Sequence, residues 1–170
     1  MVVLLLQVFE RSPALVSELV GRVQADDTPR EIVRRAREVL SALPERELIA
    51  TLGAHPRIGD DARTISELSA REQGGGDQDP ETLAELAQLN DEYERRFGFR
   101  FVVFVKGRSK AEIVPVMRER MRRTREAELR TGIEEFLAIS LDRLERSMER
   151  DRLQRSRDDD DMRRAMDVDS

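Results

Sequence analysis

The chain has 170 residues, which is enough for one domain or for one domain and a tail, and 38% of its residues are charged whereas only 4% are aromatic. This composition favours helices with solvated outer faces over a β-sandwich, which uses more aromatic and β-branched residues. The net charge of −5 argues against a general nucleic-acid-binding protein, and the lack of cysteine excludes disulfides, thiolate metal sites and a cysteine nucleophile.

Helix signals begin near the N-terminus. The apolar residues 2–6 form a stretch that is too short for a membrane span or a signal peptide, so we expect a cytoplasmic protein. Pro13 stands where a proline opens a helix, and residues 28–31 (Thr-Pro-Arg-Glu) form a capping box. A further helix is predicted to begin at Pro44 and to end near Gly53.

The middle of the chain is less regular. Residues 55–62 predict an irregular connection, because Pro56 disfavours helical geometry at His55. A short helix is expected over residues 65–73, and a glycine-rich loop over residues 74–79.

Asp79 is expected to cap a long helix that ends at Gly98, and Ser109 opens another helix through a second capping box. Between them, residues 99–105 have the β-propensity of a buried strand, but the sequence contains no second strand to pair with it. We therefore predict an extended, buried connection whose backbone groups find other partners. The last helix is expected over residues 126–148.

Residues 149–170 are dominated by arginine and aspartate, with four consecutive aspartates at 158–161. Such a segment has little to bury, which predicts a charged, disordered tail. The predicted organisation is one helical domain over residues 1–148 and a tail over residues 149–170. The predicted fold class is all-α, a single-domain bundle of seven to eight helices with irregular buried connections.

Three places are candidates for chemistry, and spacing alone leaves each of them open. His55, the only histidine, is either a packing residue or an acid or base that needs an orienting partner, and no metal-ligand spacing surrounds it. Ser69, Glu72 and Gln73 share one face of the expected helix, which is either a solvated surface or a polar site. Arg143 lies among apolar positions of the last helix, either in a surface ion pair or in a site.

Four motifs occur together in the order and approximate spacing of one known family. They are His55-Pro56-Arg57-Ile58-Gly59, Ser69-x-x-Glu72-Gln73, Leu89-Asn90-x-x-Tyr93-x-x-Arg96-Phe97-Gly98-Phe99-x-Phe101-Val102 and Ile139-x-x-x-Arg143-Leu144. Over about residues 9–148 the chain resembles the 2-oxo-4-hydroxy-4-carboxy-5-ureidoimidazoline (OHCU) decarboxylases. It departs from them at Arg100, where the family often has proline, and in a longer glycine run after Gln73.

The resemblance implies an all-α homodimer that decarboxylates OHCU to (S)-allantoin in urate degradation, a part of purine metabolism, without a metal or an organic cofactor. It implies that His55 is the catalytic residue, that Glu72 hydrogen-bonds near it and is part of the catalytic site, and that Arg143 binds the substrate. The resemblance further implies a substrate pocket lined by Pro56, Ser69, Ala70, Arg71, Glu72, Gln73, Val103, Phe104, Val105, Lys106 and Gly107.

The implied reaction suits these residue types. Loss of carbon dioxide leaves negative charge on a ring carbon, and a proton must then reach that carbon on one face. His55 suits the role of general acid, with Glu72 orienting the imidazole and favouring its charged form. Backbone N–H groups of residues 99–105 are candidates for holding ring oxygens in the manner of an oxyanion hole.

Other functions stay open at this point. A non-catalytic helical interaction module would use the charged tail for contacts. A protein without catalytic activity would, however, be expected to lose some of the polar residues His55, Ser69, Glu72, Gln73 and Arg143. A decarboxylase or isomerase of a related ureidoimidazoline would use the same residues. Binding of nucleic acid is disfavoured because the arginines are interleaved with acidic residues and form no basic stripe.

Overall fold

The computed structural model describes the backbone of residues 2–9, 12–60 and 79–168, and the side chains within these ranges except those of residues 2–3 and 159–168. These ranges hold seven helices and no strand, which confirms the all-α prediction. The helices are α1 (Val2–Val8), α2 (Pro13–Val20), α3 (Pro29–Ala42), α4 (Glu45–Gly53), α5 (Pro80–Phe97), α6 (Lys110–Arg120) and α7 (Arg125–Val168).

Local sequence signals set several helix ends. The Thr28 side chain accepts a hydrogen bond from the backbone N–H of Glu31, whose carboxylate accepts one from the Thr28 N–H at 2.7 Å. Ser109 and Glu112 form the same reciprocal pair at the start of α6. Gly98 ends α5 with a φ of 76°, a left-handed conformation that glycine adopts without steric cost. Both predicted capping boxes are confirmed.

Helix α7 is the centre of the bundle. Helices α1, α3 and α4 pack against it, α2 packs on α3, and α5 packs against α6. Gly132 brings α7 close to α4, because a Cβ atom at this position would lie only 3.0 Å from Cδ1 of Leu52. Leu52 is fully buried, a contribution of about 1.5–3 kcal/mol to folding. The C-terminal end of α4 is thereby fixed against the central helix.

The segment 99–105 is extended and pairs with no strand in the described ranges, as predicted. Side chains supply partners for its backbone. Arg120 donates to the Val102 carbonyl at 2.8 Å, and Arg108 donates to the Phe104 carbonyl at 2.6 Å. These bonds satisfy polar groups that would otherwise be costly to bury.

The last helix runs to Val168, past the predicted end at residue 148. All described side chains from residue 149 to residue 158 are exposed. The segment nevertheless has helical backbone because its arginines are good helix formers and its side chains make local pairs, such as the 2.8 Å bond from Gln154 to Asp158. The predicted helix end is therefore wrong, while the division into a domain over 1–148 and a tail over 149–170 stays a prediction. Among the described helices, none is both long and apolar enough to cross a membrane.

Candidate functional site

The site is built around His55, which follows the end of α4 in an irregular connection. The backbone N–H of His55 still bonds to the Leu52 carbonyl at 3.2 Å, and the chain then leaves the helix at Pro56. The backbone N–H of Arg57 donates to the Asp60 carboxylate at 2.9 Å, which closes a turn. The irregular connection predicted from residue 55 is confirmed as far as residue 60.

Helix α5 holds this connection from one side. The buried Asn90 amide donates to the Ile58 carbonyl at 3.0 Å. The Arg57 guanidinium bonds both oxygens of Glu94, at 3.0 and 2.7 Å, and Asp91 at 2.9 Å. A bidentate arginine–carboxylate pair fixes orientation as well as distance, so the backbone after His55 is firmly placed.

Arg100 holds the same connection at its start. One guanidinium nitrogen, Nη1, donates to the His55 carbonyl at 2.5 Å and to the Gly53 carbonyl at 3.1 Å. From the sequence, Arg100 was expected to loosen the backbone by replacing a proline, without removing a catalytic group. In the structure its guanidinium contacts the backbone of His55, the residue that the resemblance implies to be catalytic.

The His55 ring is buried, with 5% of the residue exposed, and it packs edge-to-face on Phe136 with ring centroids 5.3 Å apart. Neither ring nitrogen has a hydrogen-bond partner among the described residues. A buried polar group without a partner is costly, which is typical of a group that serves a ligand.

Burial, the nearby Arg143 cation and, to the smallest extent, Arg100 together lower the pKa of His55 to about 4, while the Thr51 backbone carbonyl acts in the opposite direction. His55 is therefore neutral at pH 7 in the free protein. The groups described around it disfavour the charged form that was expected, and Glu72, which was expected to favour that form, lies outside the described residues.

Arg143 is buried in α7, with 4% of the residue exposed, and its Nη1 donates to the Val8 carbonyl at 3.2 Å. Its position beside His55 is reflected in the pKa of the imidazole. The reading of Arg143 as one half of a surface ion pair is wrong. The exposed ion pair of this helix segment joins Asp142 and Arg146 at 2.9 Å, on a different face.

The stretch 103–107 has two environments. Val103 and Val105 are buried, whereas Lys106 and Gly107 are exposed in a turn with positive φ values of 50° and 79°. The backbone N–H of Phe104 donates to the Glu135 carboxylate at 2.7 Å, so this amide is not available to hold a ligand oxygen.

Phe104, Lys106 and Gly107 also line an open groove of about 450 Å³ beside α7. The described lining of this groove contains neither His55 nor Arg143. A pocket that joins residues 103–107 to His55 stays a prediction.

Of the remaining predicted residues, Pro56 is half-buried next to His55. Ser69, Ala70, Arg71, Glu72 and Gln73 lie outside the described residues. The structure thus brings His55 and Arg143 together and adds Arg100, Glu94 and Asn90, which sequence reasoning did not place near the site. Asn90 stood in a family motif, but no local signal marked Glu94 or Arg100, because their roles depend on contacts across the fold.

Residues 1–145 match the family model described as OHCU decarboxylase. The "Uric acid degradation bifunctional protein PucL" of Bacillus subtilis is 29% identical over 140 residues, which cover 81% of this chain and 28% of that protein. The chain thus spans little more than a quarter of that relative, and 22% of a similar bifunctional protein of Bacillus sp..

Shorter relatives match over more of their own length. A 2-oxo-4-hydroxy-4-carboxy-5-ureidoimidazoline decarboxylase of Haloferax volcanii is 31% identical over 121 residues, 69% of this chain and 70% of that protein. A crystal structure of OHCU decarboxylase in the presence of (S)-allantoin superimposes with a TM-score of 0.68 at 22% identity, covering 85% of this chain and 96% of that one. At that identity the likeness concerns the fold alone.

Proposed function

Because its residues 1–145 match that family model, the chain belongs to the OHCU decarboxylase family, and we propose that it catalyses the decarboxylation of OHCU to (S)-allantoin in urate degradation. The observation that carries the proposal is a buried histidine, whose two ring nitrogens have no hydrogen-bond partner among the described residues, beside a buried arginine. This pair offers one proton-transfer group and one fixed cation to an anionic substrate.

The reaction breaks the bond between a ring carbon and its carboxylate. Carbon dioxide leaves, the electron pair stays on the ring carbon and is delocalised into the ring, and a proton then bonds to that carbon. Stereospecificity requires that the proton arrive on one face. A rigidly held acid on one side of the substrate meets this requirement. The backbone at and after His55 is held by hydrogen bonds from Arg100 to the His55 carbonyl and from Asn90 to the Ile58 carbonyl.

Arg143 supplies the charge that binds the substrate. Its guanidinium is buried, where a charge-assisted hydrogen bond to a carboxylate or to a ureido oxygen is strong. A bound anion also offsets the positive charge that Arg143 places beside His55, so the pKa of His55 rises when the substrate binds. In this proposal His55 is neutral in the free enzyme and takes up its proton with the substrate.

The test uses OHCU freshly generated from urate with urate oxidase and hydroxyisourate hydrolase. The ultraviolet decay of OHCU and the circular dichroism of the allantoin are followed with the wild type and with His55→Asn. We expect fast decay to optically active allantoin, slowed roughly 10²–10⁴-fold in the variant. Spontaneous decay to racemic allantoin in the presence of folded wild type would contradict the proposal and favour the non-catalytic module or a related ring substrate.

We also propose, from the family resemblance, that the protein is a cytoplasmic homodimer. Two large apolar side chains at the N-terminal end, Leu6 and Val20, are 55% and 39% exposed and are candidates for an interface. Light scattering on the purified chain tests the dimer, and a monomer at micromolar concentration would contradict it.

A further inference from the structure

Arg100 extends from an anchored stretch of backbone. Its neighbours Phe99 and Phe101 are buried against Tyr93, with ring centroids 6.0 and 5.1 Å from the tyrosine ring. Arg100 lies between the two phenylalanines, and its guanidinium reaches the end of α4. Aromatic packing therefore anchors the backbone on both sides of Arg100.

The guanidinium lies at the C-terminal end of α4. The last carbonyls of a helix have no partners within the helix, and a cation near them is favourable. Arg100 donates to one such group, the Gly53 carbonyl at the end of α4, and to the carbonyl of His55, which follows the helix. It thereby fixes the peptide that carries the proposed catalytic side chain.

The carboxylate of Glu94 contacts both Arg100 and Arg57, the second arginine that fixes the connection after α4. Glu94 Oε1 lies 3.4 Å from Nε of Arg100 and 3.0 Å from Nε of Arg57. The three side chains are only 28–30% exposed, which limits screening of their charges by solvent. Glu94 therefore links the side chain of Arg100, which binds the His55 carbonyl, to the side chain of Arg57, two residues after His55.

The His55 ring has no hydrogen bond of its own within the described ranges, so its direction depends on the backbone below it and on the packing against Phe136. Building on the proposed function, we propose that Arg100 is a positioning residue: by holding the His55 carbonyl it keeps the imidazole in place beside Arg143. Glu94 holds Arg100 for this purpose.

The chain offers a direct probe, because His55 is its only histidine and an isotope-labelled imidazole gives one signal in a nuclear magnetic resonance spectrum. Among the described residues, the groups that bear on its titration are Arg143 from α7, the Thr51 carbonyl from α4 and Arg100 from the extended segment. Removing the Arg100 cation is expected to raise the pKa of His55.

The experiment compares Arg100→Gln, Arg100→Lys and the control Arg95→Gln. For Arg100→Gln we expect kcat to fall roughly 10- to 100-fold with KM little changed, and the His55 pKa to rise. Arg100→Lys keeps the charge but loses the planar fork of donors, so the pKa should stay near that of the wild type while kcat recovers only in part. Arg95 is exposed and donates to the Asp91 carbonyl, and its substitution should change neither quantity.

The spectroscopic measurement needs no turnover, which separates the two proposals. Absence of catalysis by the wild type would refute the proposed function, whereas an unchanged His55 signal in Arg100→Gln would refute the positioning role. A loss of kcat with an unchanged His55 signal would also overturn that role, because Arg100 would then act elsewhere. If Arg100→Gln does not fold, Glu94→Gln removes the partner of Arg100 and should lower kcat and shift the same signal.

Discussion

The Nε atom of Arg120 lies 2.6 Å from Oε1 of Glu128, and the two residues are only 2% and 0% exposed. The Tyr93 hydroxyl donates to the same carboxylate oxygen. Arg120 also lies over the Phe101 ring, 4.5 Å from its centroid, and donates to the Val102 carbonyl. This buried group ties α5, α6 and α7 to the extended segment that carries Arg100.

Substitution of Glu128 by glutamine should therefore destabilise the protein strongly. The variant leaves the Arg120 cation buried without a counter-charge, and breaking such a pair costs about 3–5 kcal/mol. Urea unfolding followed by circular dichroism measures the free energy of unfolding.

The matched control is Glu134→Gln, since Glu134 pairs with Arg37 at the surface, where both side chains are more than half exposed. An exposed pair contributes less than about 1 kcal/mol. Equal losses in the two variants would contradict a special role for the buried group.

The depressed pKa of His55 predicts how stability changes with pH. In the unfolded chain the imidazole has a pKa near 6.5, and in the folded protein about 4. Between these values the unfolded state binds the proton and the folded state does not, so the free energy of unfolding falls as the pH is lowered through this window. The full contribution is on the order of 3 kcal/mol.

His55→Gln removes this titration. Urea unfolding at pH 7.5, 6 and 5 should show a steeper loss of stability in the wild type than in His55→Gln, and carboxylates that titrate in both proteins cancel in the comparison. Parallel pH profiles would show that His55 titrates normally in the folded protein.

Much of the fold follows from local signals in the sequence. The capping boxes at Thr28 and Ser109 and the helix end at Gly98 depend on neighbouring residues only, and all three were predicted. The strand-like segment 99–105 was predicted to be buried without a strand partner because the chain offers no second strand. Helix α1 was not predicted, because the consecutive apolar residues 2–6 show no helical periodicity.

The contacts within the site could not be predicted from local sequence signals. The neutral state of His55 results from burial and from two arginines that are 45 and 88 residues away in the sequence (100 − 55 and 143 − 55). The contact of Arg100 with the His55 carbonyl likewise depends on how α4 meets the extended segment. Neither spacing nor periodicity carries information on contacts of this kind.

Arg143 and Arg146 offer a comparison within one helix. If Arg143 binds the substrate anion, Arg143→Gln should lower kcat/KM about 10- to 100-fold, since a charge-assisted hydrogen bond contributes about 1.5–3 kcal/mol. It should also raise the pKa of His55, because a cation beside the imidazole is lost. The measurements are turnover of OHCU and the titration of the single histidine signal.

Arg146→Gln is the control, because Arg146 is 65% exposed and pairs with Asp142 at the surface. Because Arg146 also lines the groove beside α7, this control is read on the His55 pKa, which it should leave unchanged. Equal effects of the two substitutions would indicate a general electrostatic influence of α7, and would refute a specific role of Arg143.

Glu135 controls the backbone at Phe104. Its carboxylate accepts the Phe104 N–H at 2.7 Å and so fixes the start of the turn that contains Lys106 and Gly107. If this stretch lines the substrate pocket, Glu135→Ala should lower kcat/KM about tenfold, because a displaced pocket wall costs roughly 1–2 kcal/mol of binding. The measurement is turnover of OHCU by Glu135→Ala and by the control Glu134→Ala. The Glu134 carboxylate bonds only Arg37 among the described residues, so the control shows the effect of losing a carboxylate at the helix surface. Wild-type turnover in a folded Glu135→Ala variant would contradict a role of this stretch in binding the substrate.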